Sequence, residues 1–267
     1  SALAILVGTV VSPAAAGAAE VDQWYAMNWS STPTVYSVDK TTGAATAIHT
    51  LTTSLSSGPA GFDVAVDGSE LLAYYIGYDS NPASLVEVDL VNGSERVVKV
   101  LSTVGQAVGY ATAFDIGTVA GKAYFAADVG VGFGLIDLTT GAITSLTALG
   151  SRVSALATSP DGILYGVTYG RAVYSYDAVA DSWTLVLADA GQNIMAADFD
   201  SSGTLLTQTY SGDVYSLDLD SGTVSPILVT ITVDGAGFGG EAFAISGPVD
   251  GRSLNEAIGA VSYTHLT

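Results

Sequence analysis

Short runs of apolar and aromatic residues, each ending in an aspartate and then a turn, recur five times along the chain. They read VYSVDKTTG, LVEVDLVNG, FGLIDLTTG, VYSYDAVAD and VYSLDLDSG. Their aspartates, spaced 50, 48, 40 and 41 residues apart, are Asp39, Asp89, Asp137, Asp177 and Asp218. A repeat of about 40 to 50 residues built from short strands has the length of one four-stranded propeller blade. The pattern therefore predicts an all-β fold, a five-bladed β-propeller of four-stranded antiparallel blades.

The residues after each aspartate indicate what it does. In four of the five repeats a glycine follows four positions later, at Gly43, Gly93, Gly141 and Gly222. An aspartate side chain accepts hydrogen bonds from backbone N–H groups shortly after it, and glycine adopts the left-handed conformation that ends such a turn. We therefore expect these aspartates to cap turns rather than to act in catalysis.

The two ends of the repeat region complement each other. The first repeat lacks an innermost strand, whereas the segment GGEAFAISG has the pattern of that strand with no blade after it. Pairing of this C-terminal strand with the N-terminal blade would close the ring and remove its open edges. The predicted domain covers residues 20–250, with blades at about 22–52 plus 237–247, 60–103, 112–150, 153–189 and 193–232.

The first nineteen residues differ in composition from the repeats. An apolar core from Ala2 to Val11 is followed by small residues with Ala-x-Ala sites, a pattern typical of a secretory signal peptide. It lacks an initiating methionine and is too short to span a membrane, so we interpret residues 1–19 as a truncated signal peptide. This predicts a secreted protein, extracellular or in the cell envelope, with no membrane span in the mature chain. Residues 251–267 are predicted to be a disordered or artefactual tail.

Charge and composition exclude several classes of partner and chemistry. The chain has 26 acidic and 7 basic residues, a net charge of −19, and no basic cluster, which argues against nucleic acid as a partner. It has no cysteine, so thiolate metal sites and cysteine nucleophiles are excluded. His49 falls on a predicted outermost strand, where an ordinary surface residue is expected. No catalytic residue is predicted.

Carboxylates recur on the predicted innermost strands. Asp63, Asp115 and Asp198 occupy nearly equivalent places, Ala157 takes that place in a fourth blade, and Glu241 lies near the start of the last strand. Innermost strands border the propeller axis, so these four acids are expected to lie near it. Three interpretations remain open: hydrogen bonding to backbone N–H groups of the neighbouring blade, binding of a cation such as Ca²⁺, and carboxylate catalysis.

Aromatic residues in predicted loops are candidates for ligand binding. Trp24, Trp29, Tyr78 and Tyr110 would favour stacking on a glycan if they share a face of the propeller. The longest insertion, residues 77–84, would be a recognition loop in a binding protein or a lid in an enzyme.

The repeats LYGVTYGRAVYSYD and LLTQTYSGDVYSLDLDSG resemble the LYxxDxxTG-type blades of bacterial quinoprotein-like and YVTN-type propeller superfamilies. The resemblance covers roughly residues 22–247 and rests on turn and packing residues. It implies the fold, and no residue that would bind a quinone cofactor is found.

Three functional hypotheses follow. The leading one is a secreted, non-catalytic, monomeric propeller that binds an extracellular protein, a glycan or a cell-surface component through loops on one face. The second is a Ca²⁺-dependent lactonase, lyase or hydrolase with its site at the central channel. The third is a structural cell-envelope module of a truncated larger protein.

Overall fold

The computed structural model describes residues 22–52, 59–67, 70–77, 84–100, 102–103, 106–117, 119, 121–130, 132–238 and 242–248. Throughout these ranges the chain forms β-strands and turns without a helix. The strands make five blades of antiparallel strands, and the predicted five-bladed propeller is confirmed. The predicted signal peptide and C-terminal tail lie outside the described residues.

Each blade begins with a strand at the axis and ends with a strand at the rim. Blade 1 consists, from the axis outward, of β23 (Ala242–Ile245), β1 (Trp24–Met27), β2 (Thr34–Val38) and β3 (Ala45–Thr50). Blade 2 consists of β4 (Pro59–Asp67), β5 (Glu70–Gly77), β6 (Ser84–Asp89) and β7 (Ser94–Val100). Blade 3 consists of β9 (Gln106–Asp115), β10 (Lys122–Gly130), β11 (Phe133–Asp137) and β12 (Ile143–Ser145), with the short β8 (Ser102–Thr103) beside β9.

The last two blades have the same order. Blade 4 consists of β13 (Val153–Thr158), β14 (Leu164–Thr168), β15 (Val173–Asp177) and β16 (Ser182–Leu187). Blade 5 consists of β17 (Ile194–Phe199), β18 (Leu205–Thr209), β19 (Asp213–Leu217) and β20 (Val229–Thr230). A hairpin of β21 (Thr232–Val233) and β22 (Ala236–Gly237) follows blade 5, and β24 (Gly247–Pro248) pairs in parallel with β4.

The ring closes as the sequence predicts, through its two ends. β23 pairs antiparallel with β1, with Trp24 opposite Ile245 and Met27 opposite Ala242. Next to this pair, the Ser246 N–H donates to the Gln23 carbonyl at 2.8 Å. The first blade therefore contains strands from both ends of the chain.

The core lies between the faces of neighbouring blades. Between blades 3 and 4, the ring of Phe133 lies 5.0 Å from that of Tyr176 and 4.9 Å from that of Trp183, centroid to centroid. Phe133 is 1% exposed. Aromatic and β-branched side chains of this kind fill the space between twisted sheets, which explains their frequency in the repeats. The packed blades hold the five innermost strands in place around the axis.

Candidate functional site

The strand order divides the connections between two faces of the propeller. The innermost strands contact one another in the order β4, β9, β13, β17, β23 and back to β4. We call the face that carries the connections from second to third strand the upper face; it includes residues 28–33, 169–172 and 210–212. We call the opposite face, with the connections from third to fourth strand, the turn face.

The recurring aspartates cap the turns of the turn face, as predicted. Asp39 Oδ1 accepts hydrogen bonds from the N–H groups of Thr41 (2.9 Å) and Thr42 (2.8 Å), and Gly43 follows with φ of +73°. The same pair of bonds recurs at Asp89, Asp137, Asp177 and Asp218. The backbone N–H of Thr42, more than that of Thr41, lowers the pKa of Asp39. These carboxylates are bound to their own turns.

The inner-strand carboxylates occupy equivalent places in their blades. Asp63 lies opposite Tyr74, Asp115 opposite Tyr124 and Asp198 opposite Leu206, each pairing the innermost strand with the second strand. Ala157 holds this place in blade 4, opposite Tyr165, and Ala244 holds it in blade 1, opposite Tyr25. We call Asp63, Asp115 and Asp198 the carboxylate belt. Glu241, the fourth acid predicted for the axis, lies outside the described residues.

Each belt carboxylate hydrogen-bonds to the next blade. Asp63 Oδ2 accepts the N–H of Ile116 at 2.6 Å, and Asp198 Oδ2 accepts the N–H of Ile245 at 2.7 Å. Asp115 accepts two bonds from Thr158, from its N–H at 3.0 Å to Oδ1 and from its hydroxyl at 2.5 Å to Oδ2. This is the first of the three interpretations left open by the sequence, pairing with backbone N–H groups of the neighbouring blade.

The two alanines explain the remaining bonds of the belt. The blade before Asp63 has Ala244 and the blade before Asp198 has Ala157, so neither blade offers a carboxylate to the next one. In these two blades the belt aspartate itself accepts the hydrogen bond with its second oxygen. Asp63 Oδ1 accepts the Val64 N–H and Asp198 Oδ1 accepts the Phe199 N–H, both at 2.7 Å. In every one of the five blades, the N–H group of the residue that follows the belt position therefore donates to one of the three carboxylates.

Burial sets the electrostatics of the belt. Asp63 is 8% exposed and Asp115 is 4% exposed, and burial raises the pKa of Asp115 to about 6. Burial also raises the pKa of Asp63, with further increases from the charges of Asp198 and Asp115. Burial and the charge of Asp115 raise the pKa of Asp198. A carboxylate in low-dielectric surroundings beside like charges holds a proton more tightly than one in water.

The innermost strands also line a narrow axial cavity, at residues that precede the belt positions and without the belt carboxylates themselves. Segments of all five innermost strands line it, including Gly61, Thr112, Ser154, Met195 and Ala242, and its volume of about 20 Å³ is enough for a water molecule. All six belt oxygens accept protein hydrogen bonds. In the described ranges no three His, Cys, Asp or Glu side chains are grouped so as to hold a metal ion. The predicted Ca²⁺ site, which includes Glu241, stays a prediction.

The exposed aromatic residues of the described chain all lie on the upper face. Trp29 is 40% exposed, as expected of a loop residue, and follows β1. Tyr169 (36% exposed) follows β14 and Tyr210 (61% exposed) follows β18. Neither tyrosine was among the predicted loop aromatics, although each stands directly after a strand that ends in threonine, in VTYG and QTYSG. The three residues belong to blades 1, 4 and 5, which are consecutive around the ring.

The other predicted loop aromatics do not join them. The prediction for Trp24 was wrong: it lies in β1, is 6% exposed and packs edge-on against Phe243, because this side of β1 faces a hydrophobic cluster shared with blade 5. Tyr110 lies in β9 rather than in a loop, and its side chain is outside the described part. Tyr78 and most of the insertion at 77–84 also lie outside it.

Two arginines accompany the tyrosine of blade 4 on the upper face. The guanidinium of Arg152 lies 4.1 Å from the centre of the Tyr169 ring, and its Nε pairs with Asp128 at 2.7 Å. Arg171 pairs with Asp189 at 3.1 Å. A guanidinium stacked on an aromatic ring fixes the orientation of that ring, so Tyr169 is presented in a defined position.

His49 differs from the expected surface residue. Its Nε2 lies 2.9 Å from Glu95 Oε1, and the two side chains are 14% and 8% exposed. Glu95 also accepts the N–H and the hydroxyl of Thr52. This cluster joins β3 to β7 and so holds blades 1 and 2 together.

The comparisons with known proteins identify a fold and no family. No protein-family model matches the chain, and no curated protein matches it significantly. Its fold is similar to that of a chain from a crystal structure of a nidogen/laminin complex, with a TM-score of 0.54, 9% identity and coverage of 84% of this chain and 98% of that one. It is also similar to a structural genomics protein of unknown function from Bacteroides thetaiotaomicron, with a TM-score of 0.55, 18% identity and coverage of 70% and 53% respectively.

A third structure, of YCF48 bound to D1 peptide, matches with a TM-score of 0.42 and 14% identity over 78% of this chain and 67% of that one. The first two likenesses confirm the β-propeller that the repeat resemblance implies. Bacterial origin, secretion and membership in the quinoprotein-like or YVTN-type superfamilies stay predictions. No described segment forms a helix with the length and apolar character of a membrane span.

Proposed function

We propose that this chain is a secreted, non-catalytic binding propeller that holds an extracellular protein or glycan on its upper face. The observation that carries the proposal is the position of Trp29, Tyr169 and Tyr210 on that face, in three consecutive blades. Rigid, amphipathic aromatic side chains contribute much of the binding energy at protein interfaces. Several side chains of this kind exposed together on one face of a well-packed protein favour a binding surface.

The turn face differs from the upper face in ways that support this assignment. Its five recurring aspartates are bound to the N–H groups of their own turns. Fixed negative charges of this kind keep a protein soluble and repel acidic partners. Similarity in fold to a chain of a nidogen/laminin complex is consistent with a propeller that binds protein.

Substitution of two upper-face tyrosines tests the proposal. We expect Tyr169→Ala combined with Tyr210→Ala to weaken binding of the best ligand from a panel of glycans and immobilised extracellular proteins by about 10- to 100-fold. The melting temperature should change by no more than about 2 °C, because both side chains are exposed. Binding is measured by surface plasmon resonance and stability by thermal unfolding.

The matched control is Val179→Ala on the turn face, where the side chain is 98% exposed. This variant should bind as the wild type does. Equal affinity of the double tyrosine variant and the wild type, or loss of affinity in the control, would place the ligand elsewhere.

The alternative of a Ca²⁺-dependent lactonase, lyase or hydrolase predicts a different thermal response. Ca²⁺ at 100 times its dissociation constant would add about 2.7 kcal/mol of stability, a shift of several degrees that Asp63→Asn should abolish. Because every belt oxygen already accepts a protein hydrogen bond, we expect equal melting temperatures in Ca²⁺ and in excess chelator at fixed ionic strength. A shift of several degrees would favour the alternative.

A further inference from the structure

The outer edge of blade 4 is an uncovered strand. β16 pairs with β15 on one side and forms the outermost position of its sheet. On the other side, its backbone groups make no hydrogen bond to any described part of the chain. An open edge of this kind is a template for an additional strand.

The other outer edges are charged, short or less apolar than β16. β7 carries Glu95, Arg96 and Lys99, and β12 and β20 contain only three and two residues. β3 consists of alanine, threonine and histidine apart from Ile48. β16 reads SWTLVL, with four large apolar residues in six positions and no charge. Charged and short edge strands discourage pairing with another chain, and β16 has neither protection.

The neighbouring blades hold β16 in position. Trp183 Nε1 donates to the Thr147 carbonyl of blade 3 at 2.9 Å, and Leu187 packs closely against Gly222 of blade 5. Between these anchors, Leu185 is 52% exposed and Val186 is 38% exposed. The edge is therefore ordered before a partner arrives, which lowers the entropy cost of binding.

Acidic side chains lie at both ends of the strand. Asp177 and Asp181 lie at its start, and Asp189, which also pairs with Arg171, follows its end. The N–H groups of Ala180 and then Val179 lower the pKa of Asp177, and hydrogen bonds from the Tyr176 hydroxyl and then the Thr147 N–H lower the pKa of Asp181. Both are therefore ionised at neutral pH. This arrangement favours a partner strand with basic ends.

A second copy of the chain fits the edge poorly. Antiparallel pairing of two β16 strands would bring Asp181 of one copy towards Asp189 of the other, and each copy has a net charge of −19. Like charges facing each other across a strand pair are destabilising. Charge therefore selects a basic peptide over self-association.

We propose that β16 binds an extended peptide segment of alternating β-branched residues flanked by lysine or arginine, which adds to blade 4 as a fifth strand. Backbone hydrogen bonds provide affinity, and contacts with Leu185 and Val186 together with the flanking aspartates provide selectivity. This surface lies on the rim of the propeller and is separate from the upper face.

A labelled peptide of sequence KTVTVTVK tests the proposal by fluorescence anisotropy with the full chain. We expect Leu185→Lys to weaken binding by at least about tenfold, because it puts a like charge in the path of the peptide. The matched control is Ile48→Lys, on the edge of blade 1, where the side chain is 40% exposed; it should bind as the wild type does. The Tyr169→Ala and Tyr210→Ala double variant should also bind normally, which separates this site from the upper face.

Two further measurements identify the mode of binding. The peptide ETVTVTVE should bind at least about tenfold more weakly at low salt, and the difference should shrink in about 0.5 M NaCl. Hydrogen exchange should slow at residues 182–187 when KTVTVTVK is bound. Equal binding by the Leu185→Lys variant, or protection on another strand instead, would overturn the proposal. So would a wild-type dimer in sedimentation analysis that Leu185→Lys dissociates, since the edge would then pair with itself.

Discussion

Replacing Asp63 with alanine is expected to lower the free energy of unfolding at pH 7 by about 2–4 kcal/mol. The carboxylate is the acceptor for the N–H groups of Val64 in its own blade and Ile116 in the next. Alanine leaves both donors unpaired in a buried position, and each such donor costs about 1–3 kcal/mol, offset in part by removal of a buried charge. Urea unfolding followed by circular dichroism measures the change.

Asparagine at two belt positions provides the sharper comparison. At position 115 the amide can still accept from the Thr158 N–H and can donate to the Thr158 hydroxyl, which is able to reverse its role. We therefore expect Asp115→Asn to change the free energy of unfolding by less than about 1 kcal/mol. At position 63 both partners are N–H donors, so Asp63→Asn turns an amide NH₂ towards one of them and should cost about 1–2 kcal/mol. Equal stability of the two asparagine variants would contradict the hydrogen-bond partners assigned to Asp63 and Asp115.

The second large effect is a gain of stability on mild acidification. The pKa of Asp115 is raised from 3.8 to about 6 in the folded protein. The stabilisation from proton binding is therefore complete below about pH 3.8 and is lost as the pH rises through 6. The shift at Asp115 corresponds to about 3 kcal/mol of stabilisation when the carboxyl group is fully protonated. Because the pKa values of Asp63 and Asp198 are also raised, stability should continue to fall at higher pH.

The turn aspartates determine the pH below which stability falls again. The pKa of Asp39, like that of Asp218, is lowered by backbone N–H bonds, so these groups stabilise the fold above about pH 3.8 and lose that contribution in stronger acid. We therefore expect the free energy of unfolding to be highest near pH 4 to 5.

Urea unfolding at pH 5 and pH 7.5 in about 0.5 M NaCl measures this effect, because salt screens repulsion among the surface charges. The wild type should be more stable at pH 5 than at pH 7.5, with about 1.4 kcal/mol of the difference coming from Asp115, and Asp115→Asn should lose that part. Higher stability at pH 7.5 in the wild type would contradict the assignment of a raised pKa to the belt.

The sequence predicted the fold because the information for each turn is local. Asp39 and Gly43 are four positions apart, and their hydrogen bond and positive φ involve only the residues between them. The register of Asp63, Asp115 and Asp198 was also visible, since a blade repeats its own pattern. The hydrogen-bond partners of these aspartates could not be predicted from the repeat, because they are distant in sequence: Ile116 is 53 positions from Asp63. Only the packing of neighbouring blades brings these acids to their hydrogen-bond donors.

The aromatic residues show the limit of local patterns more clearly. Trp24 begins the first repeat, so its segment could be read as a loop, but packing against a hydrophobic cluster shared with blade 5 buries it. Tyr169 and Tyr210 follow strands of ordinary composition, and their exposure depends on the direction in which each connection leaves its blade. A strand–Thr–Tyr pattern before a Gly or Ser turn was the available signal, in VTYG and QTYSG.

Closure of blade 1 by its two ends has a consequence for synthesis of the protein. The hydrogen bond between Gln23 and Ser246 joins residues 223 positions apart, so a nascent chain holds an incomplete first blade until its C-terminal strand leaves the ribosome. Contacts so distant in sequence form slowly, which makes closure the expected final step of folding. A circular permutant with residue 248 linked to residue 22 and new ends at Gly150 would turn β23 and β1 into near neighbours. The position of the chain ends would then determine which blade folds last.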